Sequence, residues 1–208
     1  WVETEYEAMG IAMERPGVRI DRMVETLELV RQHYSGDQIE VMGQHVRASG
    51  FSGAPTMDRV PPIMIGGGSK RVLGIAGREA DIVSINFNNS AGKIGPEGVG
   101  SGTVDGTSQK IEWIRAGAGE RFSELEIEIG AYFTVVTDHR DAVQGEFAKL
   151  FGLDVSDIAN HPHCLIGPVE QLVEKIQQRR EELGINYVTF GGAVIDDVAP
   201  IIDALSGT

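Results

Sequence analysis

Residues 61–86 read PPIMIGGGSKRVLGIAGREADIVSIN, and the fold turns on how the glycines in their middle are understood. Two prolines precede a short apolar run whose length suits a buried parallel strand. After Gly66-Gly67-Gly68-Ser69 come Val72, Leu73, Ile75 and Ala76, spaced for a helix that packs on a sheet. Gly74 and Gly77 lower the intrinsic propensity of that helix and offer it a close approach to its strand. DIVSINF, residues 81–87, then reads as a second buried strand. Strand, turn, helix of about three turns and strand form a βαβ unit, which is right-handed and implies a parallel sheet.

Working outward, VRIDRMVETLELVRQHYSG (18–36) places Ile20, Met23, Leu27 and Val30 at helical spacing, with Gly36 set to end the helix. Residues 3–13 suit a short helix, and 37–55, centred on Gly43, a small excursion or hairpin. The Gly-, Ser- and Asn-rich segment 88–108 is too long for an ordinary connection and reads as a functional or mobile loop. Helices are predicted over 109–122, 141–152, 167–184 and 198–207, and strands over 125–137 and 185–192. In the 167–184 helix, Val169, Leu172, Val173, Ile176 and Leu183 share a face, Pro168 suits the first turn and Gly184 the end. The order is that of an α/β protein with about four core strands. A complete eight-fold barrel needs about 250 residues, so four βα units behind a helix fit the second half of one. The expectation is a single domain, 1–208, whose N-terminal strands are missing, because the chain opens on Trp1 as though entered midway.

Composition narrows the classes of function. A formal net charge of -13 over 208 residues argues against nucleic acid or an anionic membrane as the main partner. No apolar run approaches the roughly 18 to 20 residues a membrane span needs. One cysteine, Cys164, rules out an internal disulfide framework and fits a reducing compartment, so a cytoplasmic location is expected.

The glycine turn has two readings. Glycines between a strand and a helix let the backbone approach a phosphate without a Cβ in the way and set N–H donors at the positive helix end. They also serve a tight turn with no ligand. The Ser69 hydroxyl can cap the helix or donate to a ligand. GGGSKR lacks the spacing of a phosphate-binding P-loop. Lys70 and Arg71 occupy the first helical turn, where cations are unfavourable unless an anion is near or water solvates them. Asn86, Asn88 and Asn89 stand at a strand end, where amides bind ligands or make turns. Trp1, Glu3 and Tyr6 suit either a ring-lining role, with Glu3 as acid or acceptor, or an ordinary helix start. HPHC, 161–164, has no second ligand pair at zinc spacing, so no metal is expected; His161 or His163 can instead serve as a proton donor at a site mouth, from a loop. His33 and His45 read as surface residues. No G-x-S-x-G elbow supports serine hydrolysis.

PPIMIGGGSKRVLGIAGREADIVSIN, the opening WVETEYEAMGI and HCLIGPVEQLVEKIQQRREELGINYVTF (163–190) together resemble the luciferase-like flavin monooxygenase superfamily, most closely its coenzyme F420-dependent branch. The similarity runs from Trp1 to about Gly192 and is weak across 88–108. It implies a (β/α)8 TIM barrel whose strands five to eight begin near 61, 81, 126 and 187. It implies a cofactor at the C-terminal strand ends, F420 or alternatively FMN, with its phosphate side held by Gly66, Gly67, Gly68, Ser84, Ile85 and Asn86. The activity implied is hydride transfer between the deazaflavin and a small organic substrate, or oxygen insertion if the cofactor is FMN. A noncatalytic flavin-binding or interaction protein, left with half of the barrel, is the reading from another class, since beyond Glu3, His161 and His163 the chain offers no acid or base for catalysis. A half barrel has two open strand edges, so a homodimer or association with the missing N-terminal half is expected.

Overall fold

The structure, a computed structural model, describes residues 2–55, 57–89 and 95–207. Trp1 lies outside the described residues, as do positions 90–94 of the 88–108 loop. The chain divides into two compact units, Trp1–Pro62 and Ile63–Thr208.

In the first unit, α1 (Glu3–Ala8) and α2 (Pro16–Ser35) precede an antiparallel hairpin of β1 (Gln38–Met42) and β2 (Arg47–Ser52). Pro16 opens α2, and Gly36 ends it at φ 75°, as its place in the sequence predicts. The Glu25 carboxylate of α2 reaches the hairpin turn and accepts the N–H groups of Gln44, His45 and Val46 at 3.0, 2.7 and 2.7 Å. Burial pushes this carboxyl up, but the three backbone donors outweigh it and leave the group below its ordinary value.

The second unit carries the βαβ pattern. Its elements are β3 (Met64–Gly67), α3 (Lys70–Glu79), β4 (Ile82–Ile85), α4 (Pro96–Gly100), α5 (Val104–Ala118), β5 (Glu126–Ala131), β6 (Phe133–Val136), α6 (Arg140–Phe151), α7 (Val155–Asn160), β7 (Cys164–Gly167), α8 (Val169–Leu183), β8 (Tyr187–Phe190) and α9 (Ile195–Leu205). Strands β3, β4, β5 and β8 form one parallel sheet in that order. Among the described residues β3 and β8 each pair with one strand, so both sheet edges are open.

Register and alternation sort the strands into two faces. Ile65, Val83 and Ile127 stand in one row and Ile85 and Ile129 in the next, all buried, beside α3 and α5. On the other face Gly66, Ser84, Glu128 and Tyr187 are successive partners across all four strands. The expected approach of α3 to its strand through glycine is directed elsewhere. A Cβ on Gly77 would strike the Ile114 carbonyl and come within 3.0 Å of Ala118 N, and one on Gly117 would strike the backbone of Gly74. The glycines bring α3 against α5.

The segment 125–137 is one strand in the sequence and two in the structure. Up to Ala131 it pairs with β4 and β8; from Phe133 it pairs with β7. The excursion from β6 to β7 has its own core of Ala148, Ile158, Cys164 and Ile166, packed by Phe133, Phe147 and Phe151. HPHC, expected in a loop, leads straight into β7, because Cys164, Leu165 and Ile166 are buried between that core and the one beneath α8 and α9.

Candidate functional site

The C-terminal ends of β3, β4 and β5 converge on Asn86, the residue after β4. Its N–H donates to Gly67 O at 2.8 Å, extending the ladder past the last paired strand residues. Its side-chain amide donates to Ser84 Oγ at 3.1 Å, and its Oδ1 accepts the Tyr132 hydroxyl. Its carbonyl accepts from Lys110 Nζ of α5 at 2.8 Å, and the same ammonium reaches Ser101 O at 2.8 Å. Burial lowers the Lys110 pKa to about 8, so the two carbonyls are held by a cation that water scarcely reaches.

The glycine turn closes against this point. A Cβ on Gly66 would sit 3.0 Å from Asn86 Nδ2, and one on Gly68 would sit 2.7 Å from Asn86 O and closer still to the Phe87 carbonyl. Gly68 therefore lets the β3–α3 turn lie directly on the chain leaving β4. Ser69 is the N-cap residue of α3, yet its hydroxyl makes no capping bond. The first-turn N–H groups of α3 have no acceptor within the helix, as at any helix start, and the Ser69 hydroxyl stands beside them, a setting that can receive an anion.

Tyr132 stands where β5 ends and β6 begins. Its ring lies over Gly130, where a Cβ would come within 2.8 Å of Tyr132 Cζ. On one side it stacks on His163 at 5.2 Å between centroids and 4° between planes, and Phe87 packs at 5.5 Å. Partial burial and the Glu128 carboxylate raise its pKa, which keeps the hydroxyl a donor. Glu128 is itself buried and accepts Thr189 Oγ1 at 2.6 Å. One polar face thus carries Ser84, Asn86, Tyr132, Glu128 and Thr189 across β4, β5 and β8.

His163 lies behind that face with no solvent exposure. Its Nδ1 donates to Gly130 O at 2.8 Å, which leaves Nε2 as the unprotonated nitrogen, without a partner. Burial lowers its pKa to about 3, so it is neutral at physiological pH. His161 is equally enclosed: Nε2 donates to Val99 O at 3.0 Å and Nδ1 accepts the His163 N–H at 3.2 Å. From α8 the buried Arg179 guanidinium donates to the carbonyls of His161, Pro162 and Cys164, each at 2.8 Å. These bonds hold the turn inside the protein and away from any open mouth.

The structure brings together Gly66, Gly67, Gly68, Ser69, Ser84 and Asn86. Ile85 lies between Ser84 and Asn86 with its side chain buried on the helix face, so it offers the site only its backbone. Glu3 lies exposed in the first turn of α1, in the other unit. The Asn88 backbone N–H donates to Ser101 Oγ at 2.8 Å. The sequence reading passed over Tyr132, Glu128, Thr189 and Lys110. The signal for Glu128 was present: a carboxylate amid apolar residues, two positions before a glycine. No group of acid, histidine and cysteine side chains among the described residues is placed to hold a metal. No helix among them is long and apolar enough to cross a membrane.

No curated protein matches the chain significantly. A riboflavin lyase, solved with modified FMN and riboflavin, superposes with a TM-score of 0.67 at 14% identity, over 98% of this chain and 61% of that one. An F420-dependent secondary alcohol dehydrogenase, holding an F420–acetone adduct, gives 0.61 at 18% identity, over 86% and 58%. The coenzyme F420-dependent tetrahydromethanopterin reductase of Methanopyrus kandleri gives 0.59 at 16%, over 88% and 61%. The chain thus spans about three fifths of the length of these structures, and its parallel sheet is that of a partial (β/α)8 barrel. The family described as luciferase-like monooxygenase matches residues 1–154. The chain belongs to that luciferase-like family.

Proposed function

We propose that the chain is part of an oxidoreductase that uses F420, with residues 1–208 forming one domain of the barrel. It transfers a hydride between the deazaflavin and a small organic substrate. The supporting observation is the turn at Gly66-Gly67-Gly68-Ser69, packed on the end of β4 at the start of α3, with a hydroxyl that makes no capping bond. This fits the phosphate side of such a cofactor. The Gly66-Gly67-Gly68 turn, with the backbone donors of Gly68 and Ser69 beyond the β3 ladder, the Ser69 hydroxyl, and the Ser84–Asn86 strand end with Ile85 between them would hold it. The bound cofactor supplies the redox chemistry, while the protein orients it and excludes water. Glu128, buried and accepting from Thr189, is the best-enclosed acid on the same face; Glu3 and His163 are weaker choices. The remaining barrel strands, from a longer chain or a second copy, would cover the open edges of β3 and β8.

FMN with oxygen insertion is the second reading, favoured by the family's description as monooxygenases. Titration of the protein with F420 and with FMN, followed by fluorescence, decides between them. F420 binding at micromolar concentration is expected. FMN binding alone moves the assignment to the monooxygenase, and binding of neither overturns both.

A further inference from the structure

We propose that Tyr132 is a ligand-binding residue of this site, its hydroxyl donating to an acceptor atom on the edge of a planar heteroaromatic ring, and that His163 is its positioning residue. This rests on the cofactor reading above and adds to it a residue on the ring side rather than the phosphate side. Three features single out Tyr132. Its ring remains 53% exposed, against 38% for Tyr187 on the same face, although it touches Gly130, Phe87 and His163. Its hydroxyl is parked on Asn86 Oδ1, a neutral acceptor that already uses its amide on Ser84. Glycine at 130 leaves the space that the ring occupies.

His163 supports Tyr132 from behind. The histidine cannot swing, because Nδ1–H is bonded to Gly130 O and its own N–H to His161 Nδ1. Its ring is parallel to Tyr132 within 4°. Uncharged and enclosed, it offers a flat apolar surface that fixes the tyrosine ring plane and leaves the hydroxyl free to turn. A ring-bearing ligand with a carbonyl oxygen or ring nitrogen at its edge can then take the hydroxyl over from Asn86, at the cost of one neutral hydrogen bond and the gain of another.

The test is a fluorescence titration of the full chain with FMN and F420, and with riboflavin and the phosphate-free deazaflavin chromophore. Tyr132→Phe removes one neutral hydrogen bond and is expected to weaken binding about 3- to 10-fold. The loss should be equal for phosphate-bearing and phosphate-free forms. His163→Leu should weaken binding by a similar factor in the wild-type background and by less than about twofold on top of Tyr132→Phe, the signature of two residues acting as one. Thermal melting checks that each variant folds. Where His163→Leu does not fold, His163→Phe keeps the stacked ring and should lose less affinity than Tyr132→Phe. Unchanged binding by Tyr132→Phe, or a loss confined to phosphate-bearing forms, overturns the Tyr132 contact alone. Independent, additive losses overturn the role of His163. Failure of the wild type to bind any of the four overturns this inference together with the cofactor reading.

Discussion

Gly68 and Ser69 are neighbours with opposite constraints. Gly68 has main chain from a second strand end where its side chain would be, so Gly68→Ala forces the β3–α3 turn away from Asn86 and Phe87. A destabilisation of about 1–3 kcal/mol is expected, measured by urea unfolding. Ser69 carries a hydroxyl that does nothing for the helix. Ser69→Ala should change stability by less than about 0.5 kcal/mol. It should nevertheless weaken FMN or F420 binding more than binding of their phosphate-free forms, as calorimetric titration would show. Equal weakening of both forms would detach Ser69 from the phosphate. The sequence showed that this turn was unusual but not which residue served structure and which remained available. That distinction depends on what lies 3 Å away from each, and position along the chain does not encode it.

At the scale of elements, apolar spacing announced α3, α5, α8 and the strands of the four-stranded sheet, because each presents one face to a single neighbour layer. It did not say which neighbour. Gly74 and Gly77 read as contacts to a strand, yet their bare backbone meets α5 through Gly117 and Ile114. Gly77→Val should therefore pry two helices apart, lowering stability by about 1–3 kcal/mol in denaturant unfolding while leaving the β3–β4 ladder intact by amide exchange. β7 was missed for a different reason. Four buried residues behind two histidines and a proline carry no alternation, and the strand exists because Arg179 holds the preceding carbonyls and β6 supplies a partner. The acid and tyrosine of the site were overlooked likewise: Glu128 and Tyr132 come from one segment and Asn86 and Thr189 from two others, and only the sheet register brings them together.

For the whole molecule, the buried histidines set an acid limit. The unfolded chain takes up a proton on each near pH 6.5, whereas burial keeps His163 neutral down to about pH 3 and holds His161 below its ordinary value. Their contribution to stability is full above pH 6.5 and is lost as pH falls towards 3. For His163 the loss at pH 5 is about 2 kcal/mol. Unfolding free energies from urea titrations at pH 7.5 and 5 should differ less in His163→Phe than in the wild type by about that amount; an equal difference would mean that His163 titrates normally. The strand that changes partners at Tyr132 also bears on slow opening motions. Amides of β6 are protected through β7, and those of β5 through β4 and β8, so their hydrogen-exchange rates should step at that residue. A molecule that engages Tyr132 would sit where the strand changes partners, and it should slow exchange on both sides at once.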